Sequence, residues 1–94
     1  MNVYVVVKRH VKEGEEYTDV LSVNITMRET LESIHQETLR NKAEYSVIEI
    51  ENELDHNNVF FTHNTEYTIH CETPEQYVVN KERCCYKKRT ACIN

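Results

Sequence analysis

Four cysteines are the residues of this chain best suited to bind a metal ion. They are Cys71, Cys84, Cys85 and Cys92. Zn²⁺ takes thiolate or imidazole ligands in a tetrahedron, so three or four of these thiols meeting where the last helix packs on the last strand would form a structural zinc site. The spacing lacks a Cys-x-x-Cys knuckle, and neighbouring helical cysteines point about 100° apart. The cysteines therefore have two interpretations, zinc ligands or buried free thiols, because a reducing cytosol disfavours disulfides.

Carboxylates form a second group of residues with a chemical use. Glu49, Glu51, Glu53 and Asp55 recur at alternate positions. If this segment is a strand, the side chains form a row on one face of the sheet. Such a row can occupy a protein surface that normally receives nucleic-acid phosphates, although solvation of an exposed strand also explains it. We predict that these four residues bind a partner protein.

No group of residues predicts catalysis. The single glycine excludes the phosphate-binding loops of nucleotide enzymes, which need several glycines. The serines lack the glycine-flanked turn of serine hydrolases. His70 lies beside Cys71 in sequence, but neighbouring strand residues point to opposite faces, so the pair does not predict a nucleophile and its base. We expect that the protein is not an enzyme.

The charge of the chain is divided unevenly. The net charge is −5, yet residues 81–89 carry five cations against Glu82, for +4, while residues 13–75 carry fifteen carboxylates against three cations, for −12. Tyr86 lies within the basic segment, and cations with an interleaved aromatic are typical of phosphate contacts. The alternative function is therefore a small nucleic-acid-binding regulator that uses residues 81–89. The acidic remainder of the chain disfavours this alternative, because its negative charge would repel a nucleic-acid backbone.

The element expected to position these groups is a helix over residues 26–43. Thr26 and Glu29 have the spacing of a capping box, in which each side chain bonds the other residue's backbone amide. Apolar positions recur at helical spacing at Met27, Leu31, Ile34 and the pair Thr38–Leu39, which gives one buried stripe. We expect this helix to cover a sheet built from the chain on both sides of it.

The flanking chain alternates in the manner of strands. Residues 2–11 have apolar side chains at both odd and even positions, so both faces of this strand would be apolar, which predicts a central strand. Further strands are predicted at 17–25, with a bulge at Asp19–Val20, at 45–51, at 59–63 and at 67–71, the last of them an edge strand. Thr73, Pro74 and Gln76 have the pattern of a second helix start. The predicted order is ββαβββα.

These features predict a single α+β domain over residues 1–94. Its two layers are a mostly antiparallel sheet of four to five strands and two helices on one side, because a chain of this length buries one modest core. No apolar run approaches the ~20 residues that span a bilayer. The N-terminus has no signal-peptide pattern, so we expect a cytoplasmic location and no membrane partner.

The short acidic chain, its opening Val3–Val7 strand and hairpin, and its Thr26-capped helix are similar to small phage proteins of the anti-CRISPR type. The resemblance covers the general character of the whole chain. It implies an inhibitor that acts in the host bacterial cytoplasm, and the zinc site predicted from the cysteines would stabilise that inhibitor. Its partner would be a bacterial defence nuclease, such as an RNA-guided Cas9-type effector.

Overall fold

The computed structural model describes residues 1–12, 15–62 and 64–83. The strands are β1 (Val3–Lys12), β2 (Glu15–Asn24), β3 (Phe60–Thr62) and β4 (Thr65–Glu72), and the helices are α1 (Met27–Arg40), α2 (Val47–Asn57) and α3 (Pro74–Glu82). The strands form one antiparallel sheet in the order β2-β1-β4-β3. This confirms the α+β class and the mostly antiparallel sheet. The order along the chain is ββααββα, with one helix more than expected.

Strand β1 is central, as its valines on both parities predicted. Val6 lies in the larger core cluster, together with Leu31 and Ile34 of α1. Val5 and Val7 face the opposite side of the sheet, where Tyr77 of α3 packs against them. The helices therefore lie on both faces, and the expectation of helices on one side is wrong for α3. A strand that is apolar on both sides needs cover on both sides.

Helix α1 forms where it was predicted. Thr26 caps it by accepting a hydrogen bond from the Glu29 amide at 3.2 Å, and the Thr26 hydroxyl donates to the Glu29 carboxylate at 3.0 Å. The buried stripe consists of Thr30, Leu31, Ile34 and Thr38. Met27 and Leu39 are exposed, so they flank this stripe rather than fill it. The helix covers the sheet through a narrower face than its sequence suggested.

The predicted strand at residues 45–51 is wrong, because this segment begins α2. Ser46 accepts a hydrogen bond from the Glu49 amide at 3.1 Å, and the Glu49 carboxylate accepts one from the Ser46 amide at 3.0 Å. This capping box supplies partners for two amides that a helix start leaves unpaired. Ile50 is buried and Leu54, one turn later, packs against the same core. The β-branched residues favoured a strand, but the cap and the helical spacing outweigh them.

Two details of the sheet differ from prediction. Strand β4 lies between β1 and β3, so it is an interior strand and not an edge. The bulge in β2 is at Leu21, because Val6 pairs with Ser22 and Val7 pairs with Val20, which leaves Leu21 between them. This is one residue beyond the predicted site. Leu21 packs on the core, and the neighbouring Ser22 meets Ser33 of α1, Oγ to Oγ, at 2.6 Å. A bulge allows two consecutive residues to approach the same layer.

An ion-pair triad ties three strands together on the face that α3 partly covers. Arg9 of β1 contacts Glu16 of β2 at 2.9 Å and Glu66 of β4 at 3.3 Å. The hydrogen bond to Glu16, followed by that to Glu66 and the charges of both, raises the pKa of Arg9 against the opposing effect of burial. The guanidinium therefore stays charged and links the sheet across β1.

Helix α3 starts as predicted, with a capping box between Thr73 and Gln76 and with Pro74 in the first turn. Its described part ends at Glu82, with Arg83 as the cap, and the adjacent Cys84 and Cys85 lie outside the described residues. Among the described residues, no helix has the length and apolar character that crossing a membrane requires.

Candidate partner-binding site

The structure describes one of the four predicted metal ligands. Cys71 is exposed on β4, and its Sγ accepts a hydrogen bond from Asn2 Nδ2 at 3.6 Å. Cys84, Cys85 and Cys92 lie outside the described residues. Within residues 1–12, 15–62 and 64–83, no three His, Cys, Asp or Glu side chains are grouped to hold a metal ion. The zinc site remains a prediction that needs the C-terminal cysteines.

The four predicted partner-binding carboxylates are all exposed, but they do not form one row. Because the segment is helical, Glu49 and Glu53 lie one turn apart on one side of α2, and Glu51 and Asp55 lie one turn apart on another. Successive alternate positions on a helix are about 200° apart, so the single row expected of a strand is wrong. The buried stripe of Ile50 and Leu54 separates the two pairs.

The charges of these pairs are not neutralised by neighbouring cations in sequence. Residues 43–62 contain no lysine or arginine. The ion pairs found between described residues involve other carboxylates, namely Glu16, Glu32, Glu37 and Glu66. The Glu49 carboxylate accepts a hydrogen bond from the Ser46 amide, and the Glu53 carboxylate accepts one from Asn57 Nδ2 at 2.8 Å. The helix presents a negative surface to solvent.

A pocket of about 270 Å³ lies beside the second of these pairs, and we call it the α1–α2 pocket. It is lined by Tyr4, Met27, Leu31, Glu51, Leu54, Asp55, Asn58, Ile69 and Cys71. Tyr4 and Cys71 are paired across β1 and β4. The pocket thus brings together Cys71, Glu51 and Asp55, which the sequence assigned to two separate sites. Its remaining lining is mainly apolar, and sequence analysis gave no sign that it would form.

A second pocket of about 400 Å³ lies at the other end of the same sheet face, and we call it the polar pocket because each side chain that lines it has a polar group. Its lining consists of Lys8, His10, Tyr17, Glu37, Asn41, Thr62, Thr65 and Tyr67. Lys8 Nζ is 2.9 Å from Glu37 Oε2, and His10 Nδ1 is 3.2 Å from Thr65 Oγ1. Sequence analysis did not single out this group as a site. The only signal in the sequence was that Lys8 and His10 alternate with Val5 and Val7 in β1 and so point to the opposite face of the sheet.

Tyr67 forms the buried wall of the polar pocket. Burial raises the pKa of its phenol to about 12, the negative charge of Glu37 adds to the rise, and a hydrogen bond with the Asn41 side chain opposes it. The phenol is therefore neutral at physiological pH. Lys8 is already paired with Glu37, so the polar pocket holds a satisfied network rather than an uncompensated charge.

Of the basic segment 81–89, the structure describes residues 81–83. Lys81 Nζ lies 5.8 Å from the centroid of the Tyr77 ring, within the range of a cation–π contact. The remaining cations, Lys87, Lys88 and Arg89, lie outside the described residues, so nucleic-acid binding by this segment stays a prediction.

Comparisons with protein-family models, with curated proteins and with solved structures found no match to this chain.

Proposed function

We propose that this protein is a non-catalytic inhibitor that binds a bacterial defence nuclease by protein–protein contact. The first candidate partner is an RNA-guided effector of the Cas9 type. The observation that supports the proposal is the surface of α2, where four exposed carboxylates lie in a stretch of chain that contains no lysine or arginine.

The physical basis is charge complementarity. Enzymes that act on nucleic acids hold the phosphate backbone in positively charged channels, as RNA-guided nucleases do for their heteroduplex. An acidic helix on a small domain is attracted to such a channel and can block access to it. The +4 charge of residues 81–89 opposes full entry into a basic channel. The contact is therefore made by the α2 side of the molecule.

The test is a cleavage assay with a purified RNA-guided nuclease, its guide and a target duplex. We expect cleavage to fall as the protein approaches one equivalent of the nuclease, and the two proteins to co-elute in gel filtration. Undiminished cleavage without co-elution, across representative effectors, would contradict the proposal. Retention of the protein on a DNA column that is lost with rising salt would instead support the alternative, a regulator that binds through residues 81–89.

Paired neutralisations identify the contacting surface. Glu49→Gln/Glu53→Gln and Glu51→Gln/Asp55→Asn each remove two charges from α2, and glutamine at residue 49 can still complete the capping box. Exposed ion pairs are worth about 0.2–1 kcal/mol each, so either double variant, which removes two charges, should raise the half-inhibitory concentration roughly two- to thirtyfold at low salt. The matched control is Glu29→Gln/Glu32→Gln on α1, which removes equal charge elsewhere. An equal effect of the control would remove α2 from the contact.

A further inference from the structure

We propose that the α1–α2 pocket receives one arginine or lysine side chain of the partner protein. This inference deepens the proposed function and rests on it, because the side chain comes from the bound partner. It assigns the two carboxylate pairs of α2 different tasks. Glu49 and Glu53 contribute to the general negative surface, whereas Glu51 and Asp55 pair with the charged end of the inserted side chain.

The lining of the pocket matches a side chain that is apolar along its length and charged at its tip. Met27, Leu31, Leu54 and Ile69 supply aliphatic walls, and Glu51 and Asp55 supply carboxylates. Long basic side chains bury their methylene stems along apolar surface while the charged end stays near water. At about 270 Å³ the pocket is larger than the ~150 Å³ protein cavities that take up benzene. It therefore has room for one long side chain.

The electrostatics of the pocket favour a cation over other ligands. Glu51 and Asp55 are one helical turn apart and take no part in the ion pairs found between described residues. Asp55 and Asn58 also lie at the C-terminal end of α2, where the helix dipole is negative. An anion would be repelled by both features, and an uncharged apolar ligand would leave the two carboxylates without a counter-charge.

The direct test uses n-butylguanidinium, which combines an aliphatic stem with the charged group of arginine. It is titrated onto the full ¹⁵N-labelled chain and followed by amide chemical shifts. We expect saturable shifts centred on residues 51–58, Met27 and Cys71. Guanidinium ion has the charged group without the aliphatic stem, and n-pentanol has an aliphatic stem without the charge. Each should bind at least about fivefold more weakly than n-butylguanidinium. Equal shifts from guanidinium alone, or shifts spread evenly over the surface, would overturn the inference.

Two double variants on the same helix separate the pocket from the general charge of α2. Glu51→Gln/Asp55→Asn should weaken n-butylguanidinium binding at least about fivefold, since it removes both counter-charges. Glu49→Gln/Glu53→Gln removes equal charge outside the pocket and should leave binding within about twofold. Unchanged amide spectra elsewhere confirm that both variants are folded. Equal weakening by the two variants would overturn the assignment.

The chain's own basic segment is the competing occupant, and it has a separate test. If Lys87→Gln/Lys88→Gln/Arg89→Gln makes the probe bind several-fold more tightly, that segment fills the pocket and the assignment to a partner is wrong. Unchanged probe affinity supports the partner. Because the probe assay needs no nuclease, probe binding without nuclease inhibition would reject only the proposed function. Nuclease inhibition without probe binding would reject only the pocket.

Discussion

Lys8 Nζ on the central strand lies 2.9 Å from Glu37 Oε2 on helix α1. Glu37 Oε1 is also 3.6 Å from Arg40 Nη1, one turn along the same helix. The Glu37 side chain is only 12% exposed and that of Lys8 30% exposed, so water screens the pair less than a surface ion pair. The charge of Glu37 also acts on the buried phenol of Tyr67. This one carboxylate therefore links the helix layer to the sheet and sets the electrostatics of the polar pocket.

Glu37→Gln should destabilise the fold because it leaves a partly buried lysine without its counter-charge. The loss of one partner of an ion pair costs more stability when the pair is partly buried than when it is exposed, and less than when it is fully buried. We therefore expect a loss of about 1–2 kcal/mol in the free energy of unfolding, measured in urea. The exposed Arg28–Glu32 pair is the control, and Glu32→Gln should cost less than about 0.5 kcal/mol. Equal losses would mean that the Lys8–Glu37 pair is screened like a surface pair.

Deprotonation of the Tyr67 phenol should lower the free energy of unfolding at high pH. Its pKa is about 12 in the folded protein against an ordinary value of 10.0. Folding therefore favours the protonated phenol. The contribution is fully present below pH 10 and is lost as the pH rises to about 12, with a total of about 3 kcal/mol. Urea melts at pH 9 and pH 11 should show a smaller decline for Tyr67→Phe than for the unmodified chain.

Absorbance at 295 nm provides an independent check on the same phenol, because it reports tyrosinate directly. One of the six tyrosines should titrate near pH 12, and Tyr67→Phe should remove that late step. Tyr17→Phe, which replaces an exposed ring, should leave it in place. A late step that survives Tyr67→Phe would show that the raised pKa belongs to another residue.

Ile34→Ala should be among the most damaging single changes in α1. Ile34 is fully buried between the helix and the sheet, and Leu31 lies beside it in the same core cluster. Replacing either residue by alanine should cost roughly 2–5 kcal/mol, from lost burial and from the cavity left behind. Leu39→Ala, at a position that is 46% exposed, is the control and should cost less than about 1 kcal/mol. Similar losses at residues 34 and 39 would mean that the buried face is misassigned.

The zinc prediction can be tested by thermal melting in the presence of a chelator. If Cys71 shares a zinc ion with the C-terminal cysteines, metal binding contributes to folding, because the site cannot form in the unfolded chain. The chelator should then lower the Tm, and Cys92→Ser should lower it similarly without a further effect of the chelator. An unchanged Tm, with all four thiols titrating freely, would show that the cysteines are ordinary thiols.

Local sequence determined those elements whose signals lie within a few consecutive residues. Thr26 and the spacing of Leu31 and Ile34 predicted α1, and Thr73 with Pro74 predicted the start of α3. The apolar residues on both parities of β1 predicted a central strand. The helical fate of residues 47–57 was also encoded locally, in the Ser46–Glu49 capping box, but β-branched content favoured a strand and led to the wrong prediction.

The tertiary structure alone decided which distant residues share a site. Tyr4 lies opposite Cys71 because β1 pairs with β4, a contact between residues far apart in the chain. The helical turn of α2 then places Glu51 and Asp55, but not Glu49 and Glu53, beside that pair at the α1–α2 pocket. A pocket of this kind depends on strand order and helix packing, which arise from burial of the whole core. The spacing of residues within a single segment does not predict strand order or helix packing.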